Sequence, residues 1–185
     1  MALSGTDRRL LLALARSSLE DAVRATERPL PASPSSDLAE KRGAFVTLYR
    51  ASDLRGCIGR VQPLQPLWET VAEMTAASAT RDPRFAAILA SELPEISIQI
   101  SVLSPLRRIR SLDEIEVGRH GLYVRKSGQT GVLLPQVAER CGWSAGRFYA
   151  ETLRKGEIRS EPSRLDDDVE AFVYEAEVFQ EQPDV

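Results

Sequence analysis

The chain has 185 residues, of which 43% are hydrophobic and 28% charged, with 11 glycines and 11 prolines. That length suits one domain, or one domain with a small appendage, and that composition excludes disordered, collagen-like and coiled-coil chains. The formal net charge of −3 conceals an asymmetry: Glu157 to Val185 carries 10 acids against Arg159 and Arg164, while the remainder carries 22 bases against 17 acids.

Ser4 and Thr6 precede Leu10, Leu11, Leu14, Ala15, Leu19 and Val23, whose three- and four-residue spacing predicts a capped amphipathic helix to about Arg24. Pro29, Pro31 and Pro34 then mark residues 27–40 as a connector. Gly43 to Arg50 reads as a strand, Ala51 to Asp53 as a turn, and Gly56 to Val61 as the second strand of a hairpin. Leu67, Val71, Met74 and Ala77 lie at helical spacing, and Asp82-Pro83 stops that helix. Glu95 to Val102 alternates polar and apolar residues, the period of a half-buried strand.

Gly121–Lys126 and Thr130–Leu134 flank Ser127-Gly128-Gln129 and predict a second hairpin. A short helix follows from Pro135 to Arg140, and Ser144 can cap another that carries Phe148, Thr152 and Leu153 and ends near Gly156. Ala171 to Phe179 reads as one last strand. Hairpins outnumber helical crossovers, so the expected class is α+β, an antiparallel β-sheet flanked by helices. The whole of 1–185 is expected to form one domain.

No apolar run approaches the roughly 20 residues that span a bilayer, and the leucines near the start fall inside a charged helical pattern. A soluble, unexported protein is expected. Two cysteines, Cys57 and Cys141, make neither a disulfide framework nor a C-x-x-C pair, which fits a reducing cytoplasm. A single histidine, His120, cannot build a multi-histidine metal site. Arg107-Arg108-Ile109-Arg110 is the one dense basic cluster, too little to favour nucleic-acid binding over a solvated surface.

The segment Leu54-Arg55-Gly56-Cys57-Ile58-Gly59-Arg60 sets a thiol between two glycines and two arginines. If it is extended, Arg55, Cys57 and Gly59 share one face while Ile58 anchors the other. An arginine beside a thiol favours thiolate, and glycines allow close approach of a ligand or another backbone. The competing reading is a buried cysteine used as an apolar filler, with glycines marking a bulge. Arg81, Asp82 and Arg84 can order a loop by ion pairing or bind a ligand, with Phe85 inserted in the core. His120 reads as a turn or surface residue and Cys141 as buried. Trp68, Tyr123, Tyr149 and Trp143 are expected in the core. Asp166-Asp167-Asp168 cannot converge easily on a cation and reads as solvated acid.

Leu54-Arg55-Gly56-Cys57-Ile58-Gly59, Arg81-Asp82-Pro83-Arg84-Phe85, Gly121-Leu122, Leu133-Leu134-Pro135-Gln136-Val137-Ala138, Gly142-Trp143 and Ala176-Glu177-Val178-Phe179 occur in that order. Together they resemble the AMMECR domain family, known in prokaryotes as protein A of the AmmeMemoRadiSam system. The resemblance implies an α+β fold with a small second subdomain formed from segments distant in sequence. It also implies a pathway shared with a Memo-like protein and a radical S-adenosylmethionine enzyme, without naming a reaction. No cofactor is expected.

The resemblance further implies a cleft holding a cysteine, a histidine and a glutamate. Cys57 matches the cysteine and Glu177 the glutamate; the histidine position is Glu151, and a second cysteine position is Leu153. A Cys-His dyad is therefore unavailable there. If Glu151 and Glu177 shared a cleft, one would be pushed toward protonation, giving a carboxyl pair suited to acid–base work. The expected site thus comprises Cys57, Glu177 and Glu151, with Arg55, Gly56, Gly59, Arg60 and Arg84 as ligand contacts and a small molecule as ligand. The alternative is a noncatalytic module that contacts a protein or a nucleic acid.

Overall fold

The computed structural model describes residues 2–26, 28–161 and 163–181. Met1, Glu27 of the connector, Pro162 and residues 182–185, with Asp184 of the acidic tail, lie outside the described residues. The chain forms two compact units, Met1–Val102 with Glu177–Val185, and Leu103–Ala176. Each is an antiparallel four-stranded sheet with helices, the α+β class expected. The second unit is one continuous segment and the first is the interrupted one, the reverse of the subdomain arrangement the resemblance implies.

In the first unit, helix α1 (Gly5–Arg24) begins where the Ser4 hydroxyl accepts the Asp7 N–H at 3.0 Å. It ends at Ala25, which adopts the left-handed conformation. Asp7 is buried and accepts hydrogen bonds from Ser4 Oγ and Ser35 Oγ, and these hold its carboxyl below the usual range. Ser35 also caps α2 (Ser36–Ala39), so one carboxylate ties the start of α1 to the connector and gives the connector a helical turn that its prolines conceal.

Strands β1 (Ala44–Arg50) and β2 (Asp53–Arg60) form the expected hairpin, with a register shift between Leu48 and Tyr49. That bulge lets β2 begin at Asp53, earlier than its glycines suggest. Helix α3 (Leu67–Thr80) buries Leu67, Val71, Met74 and Ala77 as the periodicity predicts. Strand β3 (Ile96–Leu103) pairs with β1. Val46, Ile98 and Ile100 on these strands are fully buried in one core with Leu11, Leu19 and Val71 of the helices. Each such side chain contributes about 1.5–3 kcal/mol. Phe45, Thr47, Gln99 and Ser101 occupy the opposite face by strand alternation. The alternation fails as a guide to exposure at Ser101, which is also buried.

The second unit contains β4 (Arg107–Arg108), β5 (Gly121–Lys126), β6 (Gln129–Leu133), α4 (Pro135–Arg140), α5 (Ala145–Lys155) and β7 (Glu170–Tyr174), with sheet order β4-β7-β5-β6. Ser127 and Gly128 both have positive φ and make a two-residue turn, while Gln129 already pairs with Lys126. Ser144 caps α5 and Gly156 ends it, as expected. Phe148, Tyr149 and Leu153 of α5 pack on Leu122, Val124, Ala171 and Val173.

The single final strand expected over 171–179 is instead two. Strand β8 (Ala176–Gln180) belongs to the first unit, where the sheet order is β2-β1-β3-β8. The break falls at Glu175, whose N–H donates to Ser104 Oγ and whose carbonyl accepts the Ser104 N–H, both at 2.9 Å. These bonds take the place of a continuing ladder. Among the described residues no helix is long and apolar enough to cross a membrane.

Candidate functional site around Cys57

Cys57 lies on β2, the edge strand of its sheet, opposite Thr47, and is half-buried. The Thr47 hydroxyl donates to Sγ at 3.3 Å. The outward backbone of Cys57, which an added strand would otherwise pair, is occupied by two side chains. Asp82 Oδ2 accepts its N–H at 2.8 Å, and an Arg84 guanidinium N–H donates to its carbonyl at 3.1 Å. Asp82 and Arg84 are paired at 2.6 Å.

Asp82 is 4% exposed and also accepts the Arg84 backbone N–H. Hydrogen bonding from Arg84, aided by the Cys57 and Arg84 N–H groups, outweighs burial and holds its carboxyl at about 2. Asp82 first, and then the charge and hydrogen bonding of the neighbouring Cys57 thiol, push the Arg84 pKa up. The arrangement holds a guanidinium on the backbone of a half-buried cysteine. Arg84 also stacks over the Phe85 ring at 5.4 Å. Phe85 itself is half-buried rather than inserted in the core, where Ile88 of the same loop is buried.

The other candidate contacts are committed elsewhere. Arg55 pairs with Glu92 at 2.9 Å and donates to the Ala86 and Ala87 carbonyls, so it pins the loop before β3. Arg60 makes a two-pronged pair with Glu73 of α3, both contacts at 2.9 Å. The access assigned to Gly56 and Gly59 is taken up by the protein's own atoms. A Cβ at Gly56 would collide with the Ser78 carbonyl oxygen, and one at Gly59 with the Phe45 ring. Ser78 also accepts the Ile58 N–H and donates to the Val46 carbonyl, both at 2.8 Å, which fixes α3 against the hairpin.

Glu177 is on β8, at the opposite edge of the sheet from Cys57, with β1 and β3 between them. At strand spacings of about 4.8 Å the two side chains are too far apart to share a proton. Glu177 instead accepts the Leu3 N–H at 3.0 Å and pairs with Arg8 at 2.7 Å, anchoring the start of α1. Glu151, on α5 of the second unit, is flanked by Arg154 at 2.7 Å and Arg147 at 2.5 Å, and Arg154 chiefly holds its carboxyl below the usual range. The protonated carboxyl pair is therefore corrected: each acid has its own cations.

His120 is buried rather than superficial, and its Nδ1 accepts the Glu116 N–H at 3.0 Å. Cys141, expected to be buried, is exposed at the end of α4. Trp68, Tyr123 and Tyr149 are buried as expected, while Trp143 is half-buried. In the basic cluster, Arg107 pairs with Glu114 and Arg108 with Glu170. No cluster of three potential metal ligands occurs among the described residues.

Thr47 and the buried state of Asp82 were missed by sequence reasoning. The hairpin register was the available signal for Thr47, since it sets that hydroxyl directly across from the thiol. A cavity of about 1010 Å³ between α1, α3, Thr26 and residues 28–33 has none of the candidate residues in its wall. A smaller one of about 290 Å³ lies beside β2, against Ile58, Gly59 and Arg60.

The two-sheet fold is similar to the crystal structure of an uncharacterised protein, PH0010, from Pyrococcus horikoshii, with a TM-score of 0.85 and 36% identity over 94% of this chain and 90% of that one. Protein MK0488 of Methanopyrus kandleri is 39% identical over 173 residues, covering 89% of this chain and 81% of its own. Protein PF1979 of Pyrococcus furiosus is 38% identical over 184 residues, covering 93% and 87%. The AMMECR1 family profile matches residues 12–179, taking in both sheets and the Cys57 segment. With both architecture and sequence in agreement over nearly its full length, the chain belongs to the AMMECR1 family.

Proposed function

We propose that this protein is a small-molecule-binding enzyme or accessory factor whose working group is the Cys57 thiol. The observation that carries the reading is the Asp82–Arg84 pair, which grips the Cys57 backbone and holds a guanidinium beside its sulfur. A thiol needed only as filler has no use for a cation fixed at its edge. In this reading Arg84 stabilises sulfur anion, Asp82 positions both residues, and the Thr47 hydroxyl orients Sγ. Two free cysteines favour a reducing compartment, the cytoplasm. Participation beside a Memo-like protein and a radical S-adenosylmethionine enzyme is part of the proposal and rests on the family resemblance. The pairing of Arg107 and Arg108 with acids favours this reading over a nucleic-acid module.

The chain carries its own reference thiol for the test, because Cys141 is exposed. Native protein is treated with limiting iodoacetamide and the two cysteines are quantified by peptide mass spectrometry. The proposal expects Cys57 to be labelled faster than the more accessible Cys141. Slower labelling of Cys57, in the order of exposure alone, overturns it.

A further inference from the structure

The cavity of about 290 Å³ beside β2 is bounded by Ile58, Gly59 and Arg60 of the strand, Glu73, Met74 and Ala77 of α3, and Arg81. Its chemistry is uneven. Ile58, Met74 and Ala77 supply apolar lining, and Arg60 and Arg81 line it as well. Arg60 is immobilised by its two-pronged contact with Glu73, which uses only two of its five N–H donors. Glu73 is neutralised in the same contact and receives a further bond from Gln65 at 2.9 Å.

Arg81 differs from its neighbours. Arg55, Arg60, Asp82 and Arg84 all have side-chain partners, whereas the exposed Arg81 side chain has no hydrogen bond or ion pair among the described residues. It follows the last turn of α3, where it closes the helix by donating its N–H to the Ala77 carbonyl. It is immediately followed by Asp82, the residue that grips Cys57. The cavity therefore pairs one fixed guanidinium with one uncommitted guanidinium, against a single carboxylate already neutralised, and has a net positive charge.

From this arrangement we infer that the cavity is an anion-binding site between α3 and the edge strand β2. It takes a small metabolite with a carboxylate or phosphate head on Arg81 and Arg60 and a short aliphatic stem against Met74 and Ala77. Ile58 and α3 put the cavity on the face of β2 away from the Cys57 thiol, which sits with Thr47, so the inference goes beyond the thiol reading and stands on the cavity alone. The volume suits a ligand at the small end of the range for metabolite sites. Planar two-pronged recognition suits carboxylate and phosphate alike, so both head groups need testing.

The test measures thermal midpoint in native protein, R81Q and R110Q, with inorganic phosphate, succinate or chloride at matched ionic strength. Arg110, in the other unit, controls for loss of one positive charge. The expected result is a saturable rise in midpoint with phosphate or succinate. R81Q loses the response and R110Q keeps it, and whichever anion acts at the lower concentration identifies the head group. Equal responses in native protein and R81Q, or none beyond chloride in native protein, overturn the site.

Discussion

The Asp82 carboxylate accepts the Cys57 backbone N–H at 2.8 Å across 25 residues of chain, and the same carboxylate holds the Arg84 guanidinium that returns to the Cys57 carbonyl. The two side chains together do for Cys57 what a neighbouring strand would do: they fill its outward donor and acceptor. The edge of the sheet is closed to another strand at the residue carrying the thiol.

Asp82→Ala removes the acceptor for the Cys57 N–H and for the Arg84 backbone and side chain at once. Loss of these charge-assisted bonds is expected to cost about 2–3 kcal/mol in urea unfolding. Iodoacetamide labelling of Cys57 relative to Cys141 is expected to fall in the same variant. Unchanged stability would mean that the pair does not hold the edge.

The acid limb of stability follows from Asp82 and Glu92. Both have folded pKa values near 2, against ordinary values of 3.8 and 4.5, chiefly because of Arg84 and Arg55 respectively. A depressed folded pKa contributes stability that is complete above the unfolded value and is lost as pH falls toward the folded one. Stability is therefore expected to decline from about pH 4.5 to about pH 2. Glu92→Gln should flatten that decline, as measured by urea midpoints across pH; an equally steep decline would remove Glu92 as a source.

Three glycines separate crowding from backbone strain. Gly56→Ala drives a methyl into the Ser78 carbonyl, between two packed elements, and is expected to cost about 1–3 kcal/mol. Gly128→Ala meets open space but keeps a φ of +86°, so it costs about 1–2 kcal/mol through the backbone alone. Gly146→Ala lies in α5 with nothing within 4 Å and should stabilise by about 0.5–1 kcal/mol. Thermal or urea unfolding checks both the order and the signs.

Glu177→Gln tests the structural role given to that acid. It weakens the contacts with the Leu3 N–H and Arg8, so the amides of the first turn of α1 are expected to exchange faster with deuterium. The Cys57-to-Cys141 labelling ratio should hold, since β1 and β3 separate the two residues. A changed ratio with unchanged exchange would return Glu177 to the thiol's chemistry.

Local patterns made most of the elements readable. Caps and periodicity located α1, α3 and α5, and turn residues located both hairpins. What the sequence concealed was mostly long-range. The run from 171 to 179 has one alternating pattern, yet the bonds between Glu175 and Ser104 divide it between two sheets. At the site, nearness in sequence suggested Arg55 as the cation for Cys57, but Glu92 holds Arg55, and the guanidinium on the Cys57 backbone is that of Arg84. The glycines were legible as places of close approach, but not the identity of what approaches, because Ser78 and Phe45 arrive through tertiary packing.

The most direct measurement is the ratio of Cys57 to Cys141 alkylation in native protein and in Arg84→Gln, followed from pH 6 to 9 with folding checked by thermal midpoint. Removing the guanidinium is predicted to lower the ratio by about tenfold near neutral pH, equivalent to about 1.4 kcal/mol of lost thiolate stabilisation. A ratio that stays the same at every pH, in a variant that remains folded, would contradict it.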